Sequence, residues 1–139
     1  MDLKQHIFNI CTSLDLPKNK EGLFEQMAQR VKELGVPDEE LFPVLWEEAM
    51  RALQDNNNAY ASAQILYRLN IKCPLKLEDA IRQMLPGWNV STEEVPWYLR
   101  NQFPKEDIIR VTLNLIAEET IQENRAVLET IIYWLDKTR

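Results

Sequence analysis

Apolar residues recur at three- and four-residue spacings along nearly the whole chain, which marks amphipathic helices rather than strands. Leu3, Ile7, Ile10, Cys11 and Leu14 form one stripe and predict a first helix over residues 2–14. Leu16-Pro17-Lys18-Asn19 breaks it, because a proline disfavours helix in the residue before it. A second helix is predicted over 20–34, with Leu23, Phe24, Met27, Val31 and Leu34 inward. Gly35 follows where a left-handed residue closes a helix. Asp38 is the expected N-cap of the third segment, with Glu39 and Glu40 near the positive end of the dipole. Pro43 would remove a hydrogen bond from a helix interior, so a short turn is expected at 38–42 and helix proper from 43 to 53. Asp55-Asn56-Asn57-Asn58 is a loop or cap cluster before a fourth helix over 59–70, whose small residues permit close approach to a neighbour.

A fifth helix is expected over 77–85, ending before Pro86-Gly87. A short sixth starts from a Ser91 or Thr92 cap and ends near Phe103-Pro104. The seventh, over 105–119, is apolar on more than one face and is expected to be central. The eighth covers 121–137 and, with the seventh, should supply much of the core.

Eight helices with short connectors imply antiparallel helical hairpins. The fold class is therefore all-α, in one compact domain spanning residues 1–139. Glu39-Glu40-Leu41-Phe42-Pro43 and Glu93-Glu94-Val95-Pro96-Trp97 echo each other, each with two acids, an apolar residue and a proline. On hairpin size and this echo, the chain resembles a short helical-repeat protein of the HEAT kind. The tetratricopeptide pattern is absent, and helix-start chemistry alone also accounts for the echo.

Composition narrows function mainly by exclusion. The only three glycines, Gly22, Gly35 and Gly87, cannot build either phosphate-cradling glycine motif. Net charge is −6, and neither half is basic: residues 1–70 hold 7 basic against 11 acidic residues, and 71–139 hold 9 against 11. That balance argues against nucleic acid, whose phosphates demand a basic face, and fits a basic protein partner. Two cysteines and one histidine, His6, are too few for a structural zinc site. No Glu-x-x-His motif serves a di-metal bundle, and the adjacent acid pairs Glu47-Glu48 and Glu118-Glu119 diverge on a helix. No cofactor is expected. No apolar run approaches a membrane span, and no signal-peptide pattern opens the chain, so a cytoplasmic location with reduced thiols is expected.

One segment combines residue types that dominate binding hot spots. Trp88, Trp97, Tyr98 and Arg100 lie within a short stretch that also carries Glu93 and Glu94. The same types equally anchor a short helix to a core. The sequence thus points to a small acidic helical protein acting by protein–protein interaction, as an adaptor, inhibitor or immunity-type module, with this segment as its candidate surface. Two alternatives stay open: an enzyme or small-ligand binder with a site dispersed over a helical pocket, and a self-associating protein dimerising through its last helices.

Overall fold

Residues 58–66 are buried almost without interruption, an unusual run for a helix, and they explain the layout of the rest. The computed structural model describes residues 2–12 and 20–137; the expected helix end at Leu14 and the break at 16–19 lie outside them. The described residues form eight helices: α1 (Leu3–Thr12), α2 (Lys20–Glu33), α3 (Asp38–Ala49), α4 (Asn56–Leu69), α5 (Leu77–Gly87), α6 (Glu94–Gln102), α7 (Lys105–Glu118) and α8 (Gln122–Leu135). The run belongs to α4, whose Ala59, Ala61, Ser62 and Ala63 let other helices approach its backbone from several sides.

The even-numbered helices form one continuous layer, α2 on α4, α4 on α6 and α6 on α8. The odd-numbered helices cover it: α1 lies on α2 and α4, α3 on α4, α5 on α7 and α8, and α7 on α8. This is an all-α arrangement of helical hairpins. The hub is α4 rather than α7, contrary to the expectation from sequence. Only Ile108, Thr112 and Leu115 of α7 are buried, and only Leu128, Ile131 and Leu135 of α8. Their remaining apolar residues widen the stripe without reaching the centre, and Leu113 is exposed.

Local chemistry sets the helix ends. Gly35 has φ +68 and Asn70 φ 51, both in the left-handed region that closes α2 and α4. Asp55 is the N-cap of α4, its carboxylate accepting from the Asn58 backbone N–H at 3.2 Å, so this helix starts three residues before the expected Ala59. The expected turn before Pro43 is absent, since α3 runs unbroken from Asp38 through Pro43. Pro43 deprives the Glu39 carbonyl of its helical partner, but both residues are exposed, so the vacant acceptor is open to solvent. Burial of Leu41, Phe42, Leu45, Trp46 and Ala49 on the opposite face holds the helix together. The N-cap position falls on Pro37, not Asp38, whose carboxylate instead accepts from the Lys72 backbone N–H at 3.0 Å. At α6 the cap position falls on Glu93, with no side-chain cap from Ser91 or Thr92. Pro86 likewise sits inside the last turn of α5 rather than beyond it.

Gly87 joins two hairpins. A Cβ there would stand 1.7 Å from the Met50 carbonyl oxygen, so no other residue fits without moving backbone. The Gly87 carbonyl also accepts from the Ala52 N–H at 3.1 Å, fastening the turn after α3 to the end of α5.

Candidate functional site

The 88–100 segment turns its aromatic groups inward. Trp88, Trp97 and Tyr98 are buried, as is Glu94 at 2% exposure; Glu93 and Arg100 are half-buried. The polar tips of the aromatic groups and of Arg100 each have a destination. Trp88 Nε1 donates to the Thr92 carbonyl at 3.0 Å, and Trp97 Nε1 donates to the Trp134 carbonyl at 3.1 Å. The Tyr98 hydroxyl donates to the Ile71 carbonyl, and its ring packs beside Phe42 and Trp46. Arg100 Nη1 donates to the Leu135 carbonyl at 2.9 Å, placing a cation at the negative end of α8. Trp134 Nε1 in turn donates to the Val90 carbonyl at 2.7 Å. Burial first, then the neighbouring Cys73, pushes the Tyr98 hydroxyl above its usual range. The buried Trp97 and Tyr98, with Arg100, tie α6 to α8 and to the α4–α5 connector, the anchoring arrangement that the sequence left open beside a binding one. Glu93 and Arg100 alone keep part of their surface in water.

A different place has the geometry of a site. Between α1, the C-terminal half of α3 and the start of α4 lies a half-open cleft of about 460 Å³. Ile7, Phe8 and Val44 form its apolar wall. Its charged lining holds three acids, Asp2, Glu48 and Asp55, and two cations, Lys4 and Arg51; Ser62, Asn58, Gln5 and Gln54 add neutral polar groups, with Cys11 beside them. Phe8 stays 45% exposed, and Leu53, in the turn between α3 and α4, is 83% exposed. The turn holds its shape because Asp55 accepts from both the backbone N–H and the Nδ2 of Asn58, the latter at 2.8 Å. Arg51 Nη1 meets Glu48 Oε2 at 3.3 Å. Lys4, also at the lining, meets Glu47 at 3.8 Å.

Ser62 is only 1% exposed, and its hydroxyl has no hydrogen-bond partner. It lies near enough to Cys11 to favour the thiolate slightly, without the geometry of a bond. The Cys11 thiol is pushed up to about 12 by burial, then by the charges of Glu48 and Asp55. It is therefore protonated at neutral pH and no nucleophile. His6 is exposed and does not line the cleft. Cys11 and Cys73 are both free thiols. Among the described residues, no three His, Cys, Asp or Glu side chains converge as metal ligands, and no helix is long and apolar enough to cross a membrane. The cleft thus combines an apolar wall, three acids, two cations and one buried hydroxyl without a hydrogen-bond partner.

Inspection of the sequence missed this site. Its residues come from three helices and a turn, separated by up to half the chain, and none stands out by type. Only Ser62, a hydroxyl inside the small-residue run of α4, carried a signal. Comparison of the chain with protein-family models, with curated proteins and with solved structures finds no match.

Proposed function

We propose that the chain is a cytoplasmic binding module, without chemistry of its own, that seats a basic protein partner on the α1–α3–α4 cleft. The carrying observation is the cleft itself. Its volume, about 460 Å³, falls in the range of about 300–1,000 Å³ of pockets that hold a ligand group, and its lining sets an apolar wall of Ile7, Phe8 and Val44 against polar and charged groups. Exposed Phe8 and Leu53 extend the apolar surface beyond the cleft, as a macromolecular contact requires. The net charge of −6 favours a basic partner. Free Cys11 and Cys73 suit a reducing compartment.

A photo-crosslinking residue installed at Phe8, at Leu53 and, as control, at exposed Leu113 of α7 tests the reading. The expected outcome is one defined partner captured from the first two positions and lost at high salt, with none from the third. Equal capture from all three positions, or capture only of a second copy of this chain, overturns it. A second reading, a small-ligand binder, is favoured by the enclosed part of the cleft. It predicts that an organic molecule co-purifies with the chain and that no partner crosslinks.

A further inference from the structure

The cleft carries more than a place of contact; its groups select a kind of side chain. Two features lead there. The first is the Ser62 hydroxyl, 1% exposed, lining the cleft and left without a partner. A buried hydroxyl in that state costs stability, and a ligand that bonds to it removes the cost. Thr112 has a comparable orphan hydroxyl inside α7, but it lines neither this cleft nor the smaller hollow between α5, α7 and α8.

The second feature is the distribution of charge. Glu48 points inward, its side chain 16% exposed, whereas its partner Arg51 is 43% exposed and touches it through a single nitrogen. That leaves most acceptor positions of the carboxylate unused. Asp55 accepts two hydrogen bonds from Asn58, again fewer than a carboxylate can hold. Of the two cations that line the cleft, Arg51 meets Glu48 and Lys4 pairs with exposed Glu47, leaving Asp2 and Asp55 without a cationic partner among the described residues. Glu48 and Asp55 both act on the Cys11 thiol in the sense of a negative field. Beside these acceptors runs the apolar wall of Ile7, Phe8 and Val44. A group that matches all of this has an aliphatic stem and a cationic, hydrogen-bond-donating head.

Resting on the reading above, we propose that the cleft receives an arginine or lysine side chain of the protein partner, its stem against Ile7, Phe8 and Val44 and its head donating to Glu48, Asp55 and Ser62. The net charge of the chain supplies the long-range attraction for such a partner. Arg51 yields its single contact with Glu48 and stays at the rim.

The test uses the full isotope-labelled chain and three capped amino acids: N-acetyl-arginine methylamide, N-acetyl-lysine methylamide and the neutral isostere N-acetyl-citrulline methylamide. Backbone amide shifts of Cys11, Asn58 and Ser62 are followed during titration. The expected result is saturable binding of arginine or lysine, with citrulline about tenfold weaker because a charge-assisted bond is lost. Glu48→Gln should weaken the cationic probe by about tenfold on the same grounds. Ser62→Ala should weaken it by about threefold, less than Glu48→Gln because the hydroxyl is an uncharged acceptor, while Tm stays level or rises. That last combination separates binding from a structural role, since a serine that merely supported the fold would lower Tm when removed. Equal binding of citrulline and arginine, absence of saturation at these amides, or unaltered binding in both variants overturns the proposal. If the crosslinked partner persists while the probes fail, the binding module stands and the basic side chain falls. If the probes bind and no partner crosslinks, the converse holds and the cleft takes a free cation.

Discussion

The brace around α6 and the cleft beside α1 are built from opposite materials. The brace holds three tryptophans, a tyrosine and an arginine, and each of them donates to a named backbone carbonyl. The cleft holds no tryptophan or tyrosine, and at its buried edge sits a hydroxyl with no partner. Residue types associated with binding have thus been consumed by the interior, while the cleft is lined by ordinary ones. Large aromatic groups bury so much area that a chain of this size gains most by folding over them. What marks a site is an unmet requirement, and that depends on geometry rather than on residue type.

The comparison breaks first at Trp97. Trp97→Ala removes a buried indole and its bond to the Trp134 carbonyl, and should cost about 3–5 kcal/mol in denaturant unfolding. A loss below about 1 kcal/mol would return Trp97 to the surface. Alkaline titration probes the cleft side. The folded Cys11 pKa, about 12, lies above its ordinary 9.0, so the thiol's contribution is intact below pH 9 and disappears as pH rises toward 12. Stability should fall through that window by about 1.4 kcal/mol per pH unit relative to Cys11→Ala, measured by urea unfolding at each pH. Parallel profiles for the two proteins would show that the thiol is as exposed as in the unfolded chain.

Gly87→Ala tests the link between the two regions, because Gly87 fastens the turn that carries Arg51 and Asp55. With the Met50 carbonyl in the way, a loss of about 1–3 kcal/mol or more is expected, together with shifted amide signals at 51–55. The smallest effects sharpen the contrast within the polar interior. Thr112→Val removes an orphan hydroxyl at nearly constant shape and should change stability by no more than about 1 kcal/mol, in the stabilising direction. Ser62→Ala should behave alike in thermal unfolding, and a clear loss in either would reveal a bond that these hydroxyls make.

The helices were legible in the sequence because the 3.6-residue period is a local property. Their number, the left-handed close at Gly35 and the cap cluster at 55–58 all follow from neighbours in the chain. The prolines were misread for the opposite reason. Whether a helix tolerates Pro43 or Pro86 depends on how much the far face buries and whether water reaches the vacant carbonyl, and both are tertiary facts. The rank of the helices failed similarly. Breadth of apolar surface made α7 look central, yet α4 is the hub because alanine and serine let backbones approach. The cleft was invisible since Ile7, Val44, Glu48 and Ser62 have ordinary identities and acquire meaning only when three helices bring them together.

The four indoles have a consequence for spectroscopy. Trp46, Trp88, Trp97 and Trp134 all donate through Nε1, and none lines the cleft. Native emission is therefore a signal of the brace and of the Trp46–Gln83 contact, and none of it originates in the cleft beside α1. A fifth indole at the rim, installed as Phe8→Trp, adds the missing emitter, so that occupancy is read as the difference between the variant's emission and that of the native four.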